Sequence, residues 1–387
     1  MGHTEARLPV IQFAGAAGVL DLGWGHPDPA LLPVDGWAAA TAATLRTAGW
    51  TALTYGYATG PGPLLEWLAV HIGSLDGRAP DPAELFVTAG TSQGIDMVCA
   101  LLTRPGDVVL VDAPTYHLAL RILANRDVEL RAAPMDGAGI DPAATVELIA
   151  RLQRTGRRAP MLYTVPTFNN PSGASVPPER RRDLVTALAG TTTIVEDDTY
   201  RELAYDGPAP PSLWSAADGG VVRLGSFSKT VGPGLRLGYL TAEASFVRRL
   251  ATRGYVDSGG CLNHTTAMVL TEFGTSGGYA RHVAGLREAY RERRDALADG
   301  LRAHAPELMF DVPAGGWFLW LRAPEGLVNG HGVALLAGEC FYVDGGGRDR
   351  LRASFSMYGV DDLREAARRL GLAIKDMHAD QGLGHPE

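Results

Sequence analysis

Lysine is almost absent from this sequence. The chain of 387 residues carries 35 lysine and arginine residues, yet only Lys229 and Lys375 are lysines. Arginine supplies a fixed positive charge, but its guanidinium cannot act as an amine nucleophile. A lysine that persists against this background is a candidate for amine chemistry, and Lys229 lies in a segment of small and polar residues.

Cysteine, positive charge and long apolar runs are scarce as well. Three widely spaced cysteines without a CxxC pair predict neither a disulfide framework nor a zinc site, so we expect a reducing, cytoplasmic location and no metal centre. A net charge of −8 disfavours binding to nucleic acids or anionic membranes. The apolar opening segment is too short for a membrane span and lacks an export cleavage site. A small-molecule partner is the favoured interpretation.

Short apolar or β-branched runs alternate with helical patterns from about residue 80 onward. The runs of this first part are LFVTAG (85–90), VVLVDA (108–113), MLYTVP (161–166), TTTIVED (191–197), VVRLGS (221–226) and LRLGYL (235–240). This alternation is typical of an α/β domain with a mostly parallel sheet. Most of the runs end in small or polar residues, and open α/β sheets bind ligands beyond the carboxyl ends of their strands.

The pattern changes near residue 275. A long helical stretch over 278–305 precedes the strand-like segments MFDVPAGGWFLWL and RLRASFS. We therefore expect a large domain over residues 46–275 and a smaller α+β domain over 276–387, with residues 1–45 forming an N-terminal arm and part of the smaller domain.

Lys229 follows one of the predicted strands, in the segment GSFSKTVGPGLRLGYL (225–240). Ser226 and Ser228 precede it, and Arg236 follows seven residues later. Hydroxyl groups and a guanidinium around one lysine suit a phosphate beside an amine. A lysine that forms a Schiff base with pyridoxal 5′-phosphate needs this arrangement, because nearby positive charge lowers the pKa of its amine. A solvated surface lysine is the alternative interpretation.

A second strand ends in the segment TAGTSQGID (88–96), which indicates a tight turn and a helix start. Gly90 permits the turn, and the amides and hydroxyls of Thr91 and Ser92 would face an anion at the helix N-terminus. A helix cap without any ligand explains the same residues, so this segment supports a phosphate site only together with Lys229.

Acidic residues end the apolar strand in IVEDDTYREL (194–203). A carboxylate there is costly unless a cation or a donor meets it, and a protonated pyridine nitrogen is such a partner. We assign Asp197 to that nitrogen and Tyr200 to the ring oxygen of the cofactor. A salt bridge to an arginine is the alternative.

Three further residues complete the candidate site, two of them after strands and one within a strand. Asn170 in TVPTFNNPSG offers a donor, and Tyr116 in DAPTYHLAL offers a ring that would stack on a flat cofactor. Arg352 lies within the apolar strand RLRASFS, where the carboxylate of a substrate would neutralise its guanidinium. A plain turn and an aromatic lid on the core are the alternatives for the first two.

Together these segments resemble the fold-type I pyridoxal-phosphate enzymes of the class I/II aminotransferase family, especially its 2-aminoadipate and multi-substrate aminotransferase branch. The resemblance covers nearly the whole chain in family order. It rests on GHPDPALLP (25–33), LTYGYATGPGPL (53–64), TAGTSQGID, DAPTYH, FNNPSG, VEDDTYREL, SFSKTVGPGLRLGY, PAGGWFLWL and LRASFS.

The resemblance implies a role for each matching residue. Lys229 would form the Schiff base and shuttle the proton, with Asp197 at the pyridine nitrogen. Tyr200 and Asn170 would bind the ring oxygen, and Tyr116 would stack on the ring. The residues implied to hold the phosphate are Gly90, Thr91, Ser92, Ser226, Ser228 and Arg236. The residues implied to contact the substrate are Arg352, which would bind its α-carboxylate, Asn170, Gly25 and His26.

The resemblance also implies a homodimer with shared active sites. Tyr55 matches the family tyrosine that reaches the phosphate of the neighbouring subunit. The segment SGGCLNHTTAMV (258–269) departs from the glutamine-containing helix start of this branch, and Trp317 stands where smaller residues are common. Three histidines in or beside these segments are additional candidates for the site: His26, His117 and His264.

The implied activity is transfer of the α-amino group of an L-amino acid to a 2-oxo acid. The departures leave open a decarboxylating, β-eliminating or oxygen-using enzyme with the same cofactor site. A third alternative is a non-enzymatic regulator, as in sensor domains of this family that are fused to winged-helix DNA-binding domains. The acidic chain and a pattern that starts by Gly25 argue against that alternative. The identity of the amino donor is not determined by these residues.

Overall fold

The computed structural model describes residues 10–12, 15–323, 327 and 329–382. Its α-helices are α1 (Val34–Ala48), α2 (Gly62–Asp76), α3 (Thr91–Leu102), α4 (His117–Ala124), α5 (Pro142–Arg154), α6 (Pro178–Leu188), α7 (Ala244–Ala251), α8 (Gly254–Gly259), α9 (His264–Thr275), α10 (Gly278–His304) and α11 (Val360–Gly382).

The β-strands are short. They are β1 (Leu20–Asp21), β2 (Leu85–Thr88), β3 (Val108–Val111), β4 (Glu129–Ala132), β5 (Met135–Asp136), β6 (Gly139–Ile140), β7 (Met161–Thr164), β8 (Thr193–Asp197), β9 (Val221–Ser226), β10 (Gly238–Thr241), β11 (Phe318–Arg322), β12 (Asn329–Gly330), β13 (Val333–Ala334), β14 (Leu336–Ala337) and β15 (Arg350–Ser354).

A central sheet has the strand order β2-β10-β9-β8-β7-β3-β4. The pairs between β9 and β4 are all parallel, whereas β10 runs antiparallel to both β9 and β2. Strands β2, β3 and β7 are buried at every position, as expected for apolar strands covered on both faces. The predicted mostly parallel sheet is confirmed. The sequence analysis missed β4, a half-buried edge strand that contains Glu129 and Arg131.

A second, smaller unit forms around the C-terminal helices. Strand β15 pairs antiparallel with β11 and β14, and α10 and α11 share one apolar core with this sheet. The helix predicted over 278–305 is α10. The N-terminal strand β1 pairs with β13, and Leu22 belongs to the same core, so the start of the described chain lies with the C-terminal unit.

Helix α1 packs on the large unit. Ala40 belongs to the core of that unit, and the ring of Trp37 contacts that of Phe273 on α9, with centroids 6.1 Å apart. This packing favours a boundary before α1, at residue 33, over the predicted boundary at residue 45. The division into domains stays a prediction. Within the described ranges, none of the helices combines the length and apolar character needed to cross a membrane.

Candidate active site

A cavity opens beyond the carboxyl ends of the parallel strands, where the apolar pattern predicted ligand binding. Most of the predicted site residues line it: Gly25, His26, Thr91, Ser92, Tyr116, Asn170, Asp197, Tyr200, Ser226, Ser228, Lys229, Arg236 and Arg352. Most of them follow strands of the central sheet, whereas Arg352 lies on β15 of the smaller unit and Gly25 and His26 follow β1. Gly90 lies against Arg236, as described below, and Tyr55 does not line this cavity.

Lys229 lies in the turn after β9, partly buried among aromatic rings. Its Nζ is 4.8 Å from the ring centroid of Trp317 and 5.9 Å from that of Tyr200. Burial and the guanidinium of Arg352 lower the pKa of the Lys229 amine to about 8. A larger fraction of the amine is therefore unprotonated near neutral pH than in an ordinary lysine. The surface-lysine alternative is wrong.

Three consecutive acids at the end of β8 point to different partners. Asp197 faces the cavity, while Glu196 and Asp198 lie on the other face of the strand, as the alternation of a β-strand requires. Glu196 lies 3.7 Å from Arg181, and Asp198 lies 2.8 Å from Arg223. The salt bridges expected as an alternative for Asp197 are therefore made by its neighbours.

Asp197 is held by neutral donors only, within the described ranges. Its Oδ2 accepts a hydrogen bond from the Tyr163 hydroxyl at 2.8 Å, and its Oδ1 accepts one from the Thr199 hydroxyl at 2.6 Å. Burial raises the pKa of Asp197. A buried carboxylate without a cationic partner is expensive, so this geometry suits a ligand that brings a protonated nitrogen.

The N-terminus of α3 and Arg236 form the polar end of the cavity. Gly90 precedes α3 with φ +87°, and a Cβ placed there would lie 2.8 Å from Nη2 of Arg236. The missing side chain thus lets the guanidinium lie over the helix start, beside the amides of Thr91 and Ser92. Free helix amides next to a guanidinium form an anion-binding site.

The turn after β9 adds hydroxyl groups to this end. The Ser226 hydroxyl accepts a hydrogen bond from the Ser228 amide at 3.1 Å, which closes the turn that carries Lys229. Both serines line the cavity, as predicted.

Arg352 adds a buried guanidinium to the lining of the cavity. It donates hydrogen bonds to Oδ1 of Asn170 at 2.7 Å and to the carbonyl of Gly23 at 2.6 Å, and its Nε has no partner among the described residues. Its Cζ lies 4.1 Å from the ring centroid of Phe318. Burial lowers the pKa of Arg352 to about 10. Among the residues that the structure describes, no carboxylate pairs with this arginine, so its counter-ion must come from a ligand.

Two of the candidate histidines lie at the cavity wall. Burial, Arg352 and Arg121 lower the pKa of His117 to about 4, and burial and Lys229 lower that of His26. Both imidazoles are therefore mostly neutral at pH 7. The Nδ1 of His117 is buried and has no hydrogen-bond partner in the described part of the chain, and its ring packs edge-on against Phe341 with centroids 5.0 Å apart.

His264 and Tyr55 lie outside this cavity. His264 begins α9 and contacts the carbonyl of Thr51 through Nε2 at 2.8 Å. Tyr55 is 82% exposed in a loop that also presents Trp50, Leu53 and Tyr57 to solvent.

Sequence reasoning missed several residues of the site. Tyr163 and Thr199 hold Asp197, and the side chain of Tyr163 is fully buried. The signal for Tyr163 was its place as the penultimate residue of an apolar strand, because side chains two apart share a face and Val165, two positions later, lines the cavity. Phe318 and Trp24 also line the cavity.

The described residues fit pyridoxal 5′-phosphate at both of its ends. A buried carboxylate without a cation faces one part of the cavity, and a helix N-terminus with an adjacent guanidinium and two serines faces another. A primary amine with a lowered pKa lines the same cavity. Tyr116 lines the wall, where its ring is available to stack on a flat ligand.

Comparison with known proteins agrees with a pyridoxal-phosphate site. The family model described as aminotransferase class I and II matches residues 17–370. The aromatic-amino-acid aminotransferase 1 of Thermococcus litoralis is 30% identical to this chain, over 97% of it and 92% of the relative. The 2-aminoadipate transaminase of Thermus thermophilus is 32% identical, over 96% of this chain and 94% of the relative.

Solved structures of similar proteins agree in fold. The multiple substrate aminotransferase of Thermococcus profundus superimposes with a TM-score of 0.86 at 30% identity, covering 94% of this chain and 93% of the other. LysN, an α-aminoadipate aminotransferase of Thermus thermophilus complexed with N-(5′-phosphopyridoxyl)-L-leucine, gives a TM-score of 0.83 at 31% identity and covers 94% of each chain.

Proposed function

This chain belongs to the class I and II aminotransferase family, and we propose that it moves the α-amino group of an aromatic or other uncharged L-amino acid to a 2-oxo acid. It is a pyridoxal-phosphate-dependent aminotransferase of fold type I, and small amino and oxo acids are its substrates. The assignment of the individual residues and of the substrate class is the part proposed here.

Lys229 acts as nucleophile and proton carrier in this proposal. Pyridoxal phosphate, when bound, supplies an aldehyde that the amine attacks and a ring that withdraws electrons from the substrate Cα. The pKa of the Lys229 amine near 8 keeps part of the amine unprotonated at neutral pH, as both roles require. The turn closed by Ser226 and Ser228 holds the amine at the floor of the cavity.

Asp197 and Arg236 hold the two ends of the cofactor in this proposal. The Asp197 carboxylate, oriented by Tyr163 and Thr199, would hold the pyridine nitrogen and keep it protonated. Arg236, the α3 amides and the two serines would hold the phosphate. Tyr200 and Asn170 line the cavity between these ends and are assigned to the ring oxygen.

The main observation behind this proposal is the environment of Arg352. It is a buried guanidinium that faces the cavity with its Nε unpartnered and with Asn170 and a backbone carbonyl as its only hydrogen-bond acceptors among the described residues. A substrate α-carboxylate fits the fork of this side chain and supplies the missing negative charge. Gly25 and His26 lie in the same wall, where the rest of the substrate would pass.

The charges of the cavity favour an uncharged substrate side chain. Within the described residues, the cationic groups in its lining are Lys229, Arg236 and Arg352, and each has a role in this proposal. His26 and His117 are mostly neutral at pH 7 and therefore offer hydrogen bonds rather than positive charge. Aromatic rings supply much of the remaining wall. A relative named for aromatic amino acids agrees with this substrate class.

A homodimer with shared active sites is the proposed assembly. The segment 50–57 presents the apolar side chains of Trp50, Leu53, Tyr55 and Tyr57 to solvent, and such a cluster is unusual on the surface of a monomer. A second copy would cover it and receive Tyr55 at its phosphate. Sedimentation of wild type and Leu53→Glu tests this assembly: we expect a dimer for wild type and a monomer with weakened cofactor binding for the variant.

The position of His264 removes one argument for the alternative reactions at the same cofactor site. The altered segment 258–269 placed His264 among the candidate acid–base groups, but His264 lies outside the cavity. Among the candidate histidines, only His26 and His117 remain available to support decarboxylation, β-elimination or reaction with oxygen.

The test mixes cofactor-loaded protein with single L-amino acids in the absence of an oxo acid and follows the absorption of the bound cofactor. We expect phenylalanine, tyrosine or tryptophan to convert it stoichiometrically to the amine form, and only an added 2-oxo acid to reverse the change. Glutamate and 2-aminoadipate should react more slowly. Continuous turnover with release of carbon dioxide or ammonia, or with uptake of oxygen, would establish the rival chemistry.

A further inference from the structure

Asn263, the residue that precedes α9, stabilises the turn that contains Arg236. Arg236 has a left-handed backbone, with φ 47° and ψ 54°, which is costly for a residue with a side chain. The Asn263 side-chain amide donates hydrogen bonds to the carbonyl of Leu235 at 2.8 Å and to that of Arg236 at 2.6 Å. Two donors on adjacent carbonyls stabilise this turn from outside the cavity.

The same short segment holds the loop that presents Tyr55. His264 contacts the carbonyl of Thr51 at 2.8 Å, so its Nε2 carries the proton and donates. The Thr265 hydroxyl donates to the carbonyl of Ala52 at 2.8 Å. A Cβ on Gly56 would lie 2.3 Å from Nδ1 of His264, which shows how closely loop and imidazole pack.

We propose that residues 261–265, which we name the phosphate brace, position both parts of a phosphate site shared between two subunits. Asn263 positions Arg236 for the phosphate of its own subunit, and His264 positions Tyr55 for the phosphate of the neighbour. This inference rests on the proposed cofactor site and dimer. It assigns positioning roles to two residues that do not themselves line the cavity.

Asn263 would affect phosphate binding through the orientation of the Arg236 guanidinium. A guanidinium binds a phosphate strongly only when its donors meet the oxygens in a set direction. Without Asn263 the turn can relax from its left-handed conformation, and Arg236, which is exposed and bonds only to backbone carbonyls at 3.2 Å and 3.3 Å among the described residues, would lose that direction. The brace therefore acts on the phosphate and not on the amine of Lys229.

The first experiment measures cofactor affinity in the cofactor-free protein by absorption titration, with pyridoxal phosphate and with pyridoxal, which lacks the phosphate. We expect Asn263→Ala to weaken pyridoxal phosphate binding about tenfold and to leave pyridoxal binding unchanged. In an Arg236→Met background the Asn263 effect should vanish, because the lost contact acts through Arg236. Ser276→Ala, which removes a hydroxyl contact at the other end of α9, is the matched control and should change neither affinity.

An equal loss for both ligands, or an Asn263 effect that persists without Arg236, would overturn the positioning role. A wild-type protein that binds neither ligand would instead overturn the cofactor site on which the inference rests.

The second experiment tests His264 through Tyr55. His264→Ala and Tyr55→Phe should each weaken pyridoxal phosphate binding, and the double variant should be no weaker than the Tyr55 variant alone. Additive losses would show that His264 does not act through Tyr55. If sedimentation shows a monomer, the role of His264 fails together with the proposed dimer, while that of Asn263 stands on the first experiment.

Discussion

At the scale of single residues, the environment of each charged group decides what it does. Glu196, Asp197 and Asp198 have similar carboxylates, yet only Asp197 reaches the cavity. Its neighbours are neutralised by arginines behind the sheet, at 3.7 Å for Glu196 and 2.8 Å for Asp198. The alternation of side chains along β8 therefore separates a carboxylate available for a ligand from two that stabilise the fold.

The lowered pKa of Lys229 can be measured directly because the chain has so few lysines. We expect acetylation of Lys229 in the cofactor-free protein to reach half its maximal rate at about pH 8, since only the unprotonated amine reacts and burial disfavours the charged form. Mass spectrometry separates it from Lys375, which is exposed on α11 and serves as the internal control. A half-maximal rate at pH 10 or above would contradict the lowered pKa.

Arg352 should affect substrates mainly through their carboxylate. Arg352→Met should raise KM for an L-amino acid about 10- to 100-fold, the effect of losing hydrogen bonds between charged groups. Steady-state kinetics measures this change, with Arg352→Lys expected to recover part of the loss. Binding of 2-phenylethylamine, which has no carboxylate, is the control and should change far less, because only the effect of Arg352 on the pKa of Lys229 remains. A similar loss for that amine would mean that the variant disturbs the cavity generally.

At the scale of elements, the ends of strands and helices form most of the site. The backbone conformation of Gly90 shapes the part of the cavity beside the start of α3. The start of α3 is accessible to an anion because Gly90 adopts φ +87° and has no side chain. The guanidinium of Arg236 takes the space that a Cβ would occupy. We therefore expect an element boundary, rather than a helix or strand interior, to determine the affinity for the cofactor phosphate.

Gly90→Ala should weaken cofactor binding beyond its effect on stability. Gly90 has φ +87° and ψ 167°, a conformation almost restricted to glycine, so alanine should cost roughly 1–3 kcal/mol, and the new methyl group would also displace Arg236. Gly106 is a matched control, because it has φ +85° and nothing within 4 Å of an added Cβ. Denaturation midpoints should fall in both variants, and titration with pyridoxal phosphate should show weaker binding in Gly90→Ala alone. Weaker binding in Gly106→Ala as well would contradict this interpretation.

At the scale of the whole molecule, a buried ionic network behind the sheet ties together the segments that carry the site. Arg223 on β9 binds Asp198 at 2.8 Å and Asp76, the last residue of α2, at 2.5 Å. Arg201 binds the other oxygen of Asp76 at 2.5 Å. These side chains are nearly inaccessible to solvent, so the charges compensate one another and lock the relative positions of β8, β9 and α2.

Breaking this network should destabilise the fold as a whole. Arg223→Met removes one of the two arginines that Asp76 and Asp198 share, leaves their buried negative charge only partly compensated, and should lower the free energy of unfolding by about 3–5 kcal/mol. Urea denaturation of the cofactor-free protein measures the loss. Arg368→Met, which breaks an exposed pair with Glu365 on α11, is the control and should change little. Equal stability of both variants would show that the buried network does not hold the segments together.

The chemistry of the site was largely predictable from short segments, because a parallel sheet brings the ends of its strands to one edge. Lys229, Asp197 and Arg352 each followed or lay within an apolar run, where a charged group without a ligand is expensive, and all three line the cavity. The scarcity of lysine added a second, independent signal for Lys229. Local residue types and the end-of-strand rule therefore indicated the cofactor and most of the residues that line the cavity.

Contacts between distant segments were decided only by the tertiary structure. The hydrogen bonds of Tyr163 to Asp197 and of Asn263 to the Arg236 turn join residues that are neighbours only in the fold. The reversed direction of β10, the edge strand β4 and the position of His264 outside the cavity were not predictable for the same reason. A sequence shows which side chains are available, but the pairing of strands and the packing of helices determine which of them meet.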